Sequence, residues 1–284
     1  MSPRFTFRKQ ALGALIATAA LAFTVTAQAD ATLDKVEQRH RLVVGVMLSG
    51  GPFGAIDPAT QKPTGMNVDM ANEIGRRLGV EVELVCVLPA NRVQFLQQGK
   101  VDLLIANMEW TPERDKLLGH VPTPFYTVGG TAAVLADSPY RSWADLKGQP
   151  VCTSQGSSYT QALVQLGVEL KAFKSSAESL LALRGNNCVA AVHDATLINP
   201  LLARGGEWQG YRALTPELNP APSVIWTRSG ETDIQARLDP IVKDWHRSGW
   251  LIERERSNRI TPASPALVKF QQELRAEGGS AAKS

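Results

Sequence analysis

The residue best placed to do chemistry is Arg114, which follows a short apolar run and stands at the start of a helix. Residues 101–106 are mostly apolar, as in a parallel strand that is buried on both faces. Thr111, Pro112 and Glu113 supply an N-cap, a first-position proline and an acid in the first helical turn. A guanidinium fork beside free amide donors suits a carboxylate. Arg114 could equally pair with a neighbouring acid on a solvated surface.

The elements that position Arg114 form an alternating pattern in the first half of the chain. We predict strands at 41–47, 80–88 and 101–106, with helices at 68–78 and 91–98 between them. The order β-α-β-α-β implies a parallel sheet with right-handed crossovers.

The second half of the chain repeats this order. We predict strands at 151–154, 170–174 and 188–193, separated by helices at 158–166 and 177–184. Two such units in one chain predict two α/β lobes with a cleft between them.

Ligands of open α/β sheets bind beyond the carboxyl ends of the strands. The first half places the loops 49–53 and 107–114 at those ends, and the second half places 155–158 and 193–194 there. If the two lobes face each other, the four loops converge on one cleft.

The segment VDLLIANMEWTPER at 101–114 resembles the strand-loop-helix signature of the family 3 extracellular solute-binding proteins, the polar amino-acid receptors of bacterial ABC importers. Similar family segments are GMNVDMA at 65–71, WADLKG at 143–148 and DWHRSGWL at 244–251. The resemblance implies a two-lobe periplasmic-binding-protein type II fold of the α/β class. Each lobe would be a mainly parallel sheet with flanking helices, and the ligand cleft would lie between the lobes.

The pattern and the resemblance together predict the organisation of the chain. We expect a signal peptide at 1–29, a discontinuous first lobe at 30–127 and 224–270, a second lobe at 128–223, and a C-terminal tail at 271–284. Residues 264–277 could add a surface helix, and we expect disorder from 278 onward.

The resemblance also implies roles for individual residues. Arg114 would bind the α-carboxylate of the ligand, and Asp194 would bind its ammonium group. A solvated loop carboxylate is the alternative for Asp194. Gly156, Ser157 and Ser158 resemble a family loop that adds donors to the carboxylate, although Ser158 could also be an ordinary N-cap.

Further residues of the loops are expected to line the site. Asn107, Met108 and Glu109 lie in the loop before Arg114. Phe53 ends the glycine-rich loop 48–53, which could bring backbone close to a ligand or be only a tight turn.

The sequence departs from the family pattern at positions that are expected to contact the side chain of the ligand. Glu109 stands where the family usually has Ser or Thr, and Asn67 where it usually has Asp. The loop 48–51 lacks the usual aromatic residue, which Tyr159 or Trp110 could replace. Glu109 could face a second positive group of the ligand, or it could compensate Arg114.

The first 29 residues predict export. They combine three basic residues, an apolar core at 11–25 and the small-residue pattern Ala27-Gln28-Ala29, so we expect cleavage before Asp30 and a periplasmic protein. Removal of this segment lowers the formal net charge from +3 to zero. A chain without a basic excess offers no footprint for nucleic acid.

Three cysteines in an exported chain predict one disulfide and one spare thiol. Cys152 and Cys188 lie near the starts of two apolar runs that could be neighbouring parallel strands, so we favour this pair. Cys86 lies in an apolar run and is expected to be buried. The histidines show no metal-ligand spacing, so we expect neither a metal site nor a cofactor.

We expect a monomeric, non-catalytic binding protein that captures a polar amino acid or similar small zwitterion and delivers it to a membrane ABC permease, which it contacts transiently. The alternative is a periplasmic dehydratase of cyclohexadienyl substrates such as arogenate or prephenate, with Glu109 as general acid. A third possibility is a partner protein whose cleft is vestigial.

Overall fold

The computed structural model describes residues 32–48, 51–260 and 264–281, with only the backbone described at 277–281. The predicted signal peptide and its cleavage site, the loop residues Ser49 and Gly50, and the last three residues lie outside this part. None of the helices in the described ranges combines the length and apolarity that crossing a membrane would demand.

The chain alternates short helices and strands throughout. Its first part forms α1 (Thr32–Arg39), β1 (Arg41–Val46), β2 (Ala55–Ile56), β3 (Pro63–Thr64), α2 (Met66–Leu78), β4 (Glu81–Cys86), α3 (Arg92–Gln97), β5 (Leu103–Ile105), α4 (Pro112–Asp115) and β6 (Leu118–His120). The middle part forms β7 (Tyr126–Leu135), β8 (Pro150–Ser154), α5 (Thr160–Gln165), β9 (Glu169–Phe173), α6 (Ser176–Arg184), β10 (Ala190–Asp194), α7 (Ala195–Ala203), β11 (Tyr211–Ala213) and β12 (Leu218–Ser223), with 3₁₀ turns at Trp143–Leu146 and Gly206–Trp208. The last part forms β13 (Trp226–Arg228), α8 (Thr232–Ser248), α9 (Trp250–Ser257) and α10 (Pro265–Ala281).

The first sheet has the strand order β4-β1-β5-β13-β6. Strand β1 runs parallel to β4 and β5, and Val44 of β1 lies opposite both Leu84 and Leu103. Strand β13 returns from the end of the chain and pairs antiparallel with β5 and β6. Helices α2 and α8 cover this sheet through an apolar cluster that includes Ile74 and Trp245. We call this unit the first lobe.

The second sheet has the order β11-β7-β10-β8-β9, and β12 also pairs with β7. Strands β8, β9 and β10 are parallel, whereas β7 runs antiparallel to β10. All its strands come from residues 126–223, and we call this unit the second lobe. The two α/β lobes predicted from the repeated pattern are therefore confirmed.

The structure adds elements that the sequence pattern did not show. Residues 126–131, which span the lobe boundary predicted between 127 and 128, begin the ten-residue strand β7 in the interior of the second sheet. Its sequence YTVGGTAAVL contains two glycines, which weaken a strand signal, yet seven of its residues from Val128 to Val134 are buried. The strand is held by burial and by pairing on both sides.

The surface helix expected at 264–277 is present at the end of the chain, but it extends further than predicted. Helix α10 runs from Pro265 to Ala281, so the residues 271–281 of the predicted tail are helical, including those from 278 that we expected to be disordered. Leu267 and Leu274, two turns apart, are buried on this helix. Arg275 also donates through Nε to the carbonyl of Arg247 on α8, at 2.8 Å.

The cysteines divide as a bonded pair and a free thiol. Cys152 in β8 and Cys188, just before β10, form a disulfide with their Cα atoms 5.8 Å apart. Cys86 is exposed rather than buried. It lies at the end of β4, an edge strand whose side chains alternate between the packed helix and solvent.

Replacing Cys152 and Cys188 together by Ala should lower the free energy of unfolding by about 3 to 4 kcal/mol. The bond closes a segment of 36 residues, and its removal restores that entropy to the unfolded chain. Urea unfolding of the mature chain measures the loss, with Cys86→Ala as the matched control. Equal stability of the double variant and the control would contradict the prediction.

Candidate ligand-binding cleft

Arg114 is positioned by the helix start that the sequence predicted. Thr111 caps α4 by accepting the Arg114 N–H through Oγ1 at 3.3 Å, and Pro112 occupies the first turn. The side chain turns back toward the preceding loop, where Nη1 donates to the Glu109 carbonyl at 2.7 Å and to its Oε2 at 3.2 Å. Nη2 donates across to the Gly156 carbonyl of the second lobe at 3.2 Å.

Glu109 is the residue on which the contacts of the cleft converge. Its side chain is only 2 % exposed, and Oε2 accepts a hydrogen bond from Ser158 Oγ at 2.6 Å. The hydroxyl of Tyr159 lies 3.1 Å from Oε1. Burial raises the pKa of the Glu109 carboxyl, but the charge of Arg114 and the Ser158 hydrogen bond outweigh burial, so the pKa lies below its usual range. Glu109 is therefore an ionised carboxylate in a dry site.

Asp194 is the last residue of β10, and it also contacts Tyr159. Tyr159 Oη donates to Asp194 Oδ1 at 2.8 Å. Burial, followed by the nearby charge of Glu109, raises the pKa of Asp194 well above its ordinary value. Two carboxyl groups that share one hydroxyl in a buried site do not both ionise readily. When the pair holds one proton, that proton therefore resides on Asp194 and the charge on Glu109.

Arg92 is a second buried cation that the sequence analysis did not single out. Its Nη1 donates to the carbonyls of Ala106 and Asn107, at 2.6 and 3.2 Å, and its Nη2 donates to the Gly156 carbonyl at 3.4 Å. Burial, and then the charge of Arg114, lowers its pKa to about 10, so it remains charged at neutral pH. The position of Arg92 in the sequence could have identified it as a candidate site residue. Arg92 is the first residue of α3, the helix that follows β4, and Arg114 lies in α4, the helix that follows β5.

The remaining loop residues shape the floor of the cleft. Asn107 has a positive φ of 46°, and its Oδ1 accepts from Asn67 Nδ2 at 2.7 Å. Gly156 has φ +74°, and a Cβ there would lie 2.5 Å from the Pro89 carbonyl oxygen. The two lobes thus approach each other too closely at this point for any side chain. Ser157 lines the cleft, and its Oγ accepts the Tyr159 N–H at 3.3 Å.

Two predicted site residues lie elsewhere. Phe53 is buried in the core of the first lobe, where its ring packs edge-on against Tyr126 with centroids 5.2 Å apart. Met108 is fully buried in a second apolar cluster of that lobe, and its carbonyl accepts from Trp226 Nε1 at 2.7 Å. Trp110 packs in the same cluster. These side chains are apolar, and the core removes more of their surface from water than the polar cleft could.

The space inside the closed cleft is small. Its cavity of about 40 Å³ is lined by both lobes, including Arg92, Asn107, Glu109, Tyr159 and Asp194. Such a volume holds little more than one water molecule. A second cavity of about 290 Å³ is its neighbour and shares Glu109, Ser158 and Tyr159 as lining residues.

A larger cavity of about 720 Å³ lies between α7, β7 and the segment that follows α9. Its described lining contains none of the predicted binding residues. Among the described residues, no cluster of His, Cys, Asp or Glu is arranged to hold a metal ion. The convergence of charges thus favours the smaller cleft as the functional site.

Residues 42–257 match the family model of the bacterial extracellular solute-binding proteins, family 3. The chain belongs to this family. A glutamine-binding protein of Geobacillus stearothermophilus is 32% identical over 181 residues, which span 62% of this chain and 69% of that protein.

Solved structures show the same two-lobe fold. The arginine-bound form of truncated ArgBP from T. maritima superposes with a TM-score of 0.69 at 25% identity, over 74% of this chain and 99% of that one. The ancestral amino-acid-binding protein AncCDT-1, described as a precursor of cyclohexadienyl dehydratase, gives a TM-score of 0.71 at 25% identity, over 80% and 98%.

His193 precedes Asp194 in β10, is buried and lines the same cavity. Its Nε2 lies 2.9 Å from Ser179 Oγ, and burial lowers the pKa of the imidazole to about 4. In the unfolded chain this histidine has its ordinary pKa of about 6.5. As the pH falls, the unfolded chain therefore takes up a proton before the folded chain does. The stability that neutral His193 contributes is therefore present above about pH 6.5 and lost toward pH 4.

Replacing His193 by Asn should flatten the dependence of stability on pH. Between pH 7.5 and 4.5, wild type should lose about 3 kcal/mol more than the variant, because only wild type must keep a buried imidazole neutral. Urea unfolding at the two pH values measures the difference, and replacement of the exposed His40 by Asn is the control. Equal losses in wild type and His193→Asn would show that His193 does not contribute.

Proposed function

We propose that this chain captures a polar amino acid, or a similar small zwitterion, and delivers it to an ABC permease. The observation that carries the proposal is that Arg114 of the first lobe and Ser158 and Tyr159 of the second all bond to Glu109, and that Tyr159 in turn bonds to Asp194. A zwitterion needs a cation and a carboxyl group a few ångströms apart, and this cleft holds both. The glutamine and arginine named for the relatives support an amino acid as the ligand class.

The ligand would engage both lobes at once. Its carboxylate would bind the guanidinium of Arg114 and the hydroxyl of Ser158, and its ammonium group would bind Asp194. Because these partners follow strands of different sheets, the bound ligand would favour the closed arrangement by differential affinity. Closure of this kind would give the permease a surface that reports ligand occupancy.

The cellular setting follows from the same proposal. The family is extracellular, and the export pattern of residues 1–29 supports delivery to the periplasm. The protein would act there as a monomer and contact the permease transiently. Its cleft would take a small solute rather than a macromolecule, since the cavity is small and is lined by polar side chains from both lobes.

We propose binding without catalysis. A general acid must hold a proton, whereas Glu109 is ionised and accepts hydrogen bonds from Arg114 and Ser158. The alternative of a cyclohexadienyl dehydratase has its support in the likeness to AncCDT-1, and in the protonated carboxyl of Asp194, which could serve as an acid instead. Turnover of arogenate or prephenate by the purified chain would establish that alternative.

Calorimetric titration of the refolded mature chain with L-glutamine, L-arginine and L-cystine should detect one saturable ligand. Arg114→Ala and Asp194→Ala should each weaken that binding by about 100-fold or more, because each leaves a ligand charge without its partner. Arg76→Ala is the matched control, since Arg76 pairs with Glu73 on the outer face of α2. Retained affinity in the Arg114 variant would refute the proposed carboxylate contact.

Binding of a zwitterion should also release about one proton. The free protein holds a proton on Asp194 because its pKa is raised, and an arriving ammonium group favours the ionised form. Affinity should therefore increase with pH from near 4 up to the raised pKa. Binding enthalpies in buffers of different ionisation enthalpy measure the release, and Asp194→Asn should abolish it. Buffer-independent enthalpies in wild type would contradict this assignment.

A further inference from the structure

The carboxylate of Glu109 occupies the place that the proposed function gives to the ligand. It accepts from Ser158 Oγ at 2.6 Å, from Arg114 Nη1 at 3.2 Å, and lies 3.1 Å from Tyr159 Oη. Arg114 and Ser158 are the two donors that we propose for the α-carboxylate of an amino acid. The site therefore already contains a carboxylate, and that carboxylate belongs to the chain itself.

This internal carboxylate joins the two lobes. Glu109 follows β5 of the first lobe, whereas Ser158 and Tyr159 follow β8 of the second. Charge-assisted hydrogen bonds in a water-excluded site are stronger than neutral ones in solvent. The contacts of one side chain thus span the cleft in the way a bound ligand would.

The volume of the cleft agrees with this occupancy. The cavity of about 40 Å³ between the lobes is far below the roughly 300 Å³ at which small-molecule pockets begin. The neighbouring cavity of about 290 Å³ is larger, but neither Arg92 nor Asp194 lines it. An amino acid can enter the inner site only if the lobes part and the Glu109 side chain moves aside.

Charge balance supplies a reason for such an arrangement. The cleft buries the two guanidinium groups of Arg92 and Arg114, and Asp194 is held neutral. Removal of Glu109 would take away the carboxylate that forms an ion pair with Arg114 at 3.2 Å, which is costly in a site that is largely shielded from water. An internal carboxylate can therefore stabilise closure without a ligand.

We infer that Glu109 is an internal competitor, which holds the empty cleft closed and which the carboxylate of an incoming ligand must displace. The identity of the ligand rests on the proposed function, whereas closure of the cleft by Glu109 is independent of that function. A minor open state of 0.1–10% would lower the apparent affinity by about 10-fold to 1,000-fold. The side chain would then set which ligand concentrations the protein detects.

The test compares wild type with Glu109→Ser and Glu109→Gln. Small-angle scattering of the ligand-free mature chains measures closure, and calorimetric titration with L-glutamine, L-arginine and L-cystine measures affinity. Glu109→Ser removes the carboxylate, whereas Glu109→Gln keeps its shape without the charge, so that one variant remains if the other fails to fold. Glu113→Gln is the matched control, because it removes an exposed carboxylate from α4, the helix that follows Glu109.

The expected result is a larger radius of gyration for both ligand-free Glu109 variants and binding at least 10-fold tighter than in wild type. An unchanged radius of gyration in both variants would overturn the inference. Weaker binding of L-arginine in the variants would also overturn it, since Glu109 would then be a contact for a cationic ligand. Opening of the variants without amino-acid binding in any chain would support the internal closure and refute the proposed function.

Discussion

The cleft depends on the burial of positive charge between the two lobes. Arg92 and Arg114 both donate to the carbonyl of Gly156, so one backbone oxygen of the second lobe faces two guanidinium groups of the first. Burying a cation is costly unless it is paired and hydrogen-bonded. The ionised Glu109 and the glycine that permits this close approach follow from that constraint, whereas burial and the charge of Glu109 raise the pKa of Asp194.

The repeated strand-helix order was sufficient to predict two α/β lobes, because apolar runs and helix caps are local signals. Arg114 was found in the same way, since its N-cap and its proline lie within three residues of it. A surface helix was also expected at 264–277, and α10 occupies nearly all of that range and continues to Ala281. The long strand β7 was not found, because its stability comes from distant neighbours and tertiary packing overrode a weak local signal.

The site could be predicted only in part, because its contacts join residues far apart in sequence. Glu109 was recognised as unusual, but its contact with Ser158 spans 49 positions and had no local signature. Phe53 and Met108 were placed in the cleft because they lie at strand ends. Position at a strand end does not decide which side of the loop a side chain takes, and burial in the core decided it for these two.

The disulfide between Cys152 and Cys188 has a consequence for how the binding half-site matures. It joins β8 and the start of β10, the two strands whose far ends carry Ser158 and Asp194. A covalent tie between these strands fixes their relative register, whereas only non-covalent contacts hold the first lobe against them. Alignment of Ser158 and Asp194 is thus coupled to thiol oxidation, and so to the redox state of the compartment in which the chain folds.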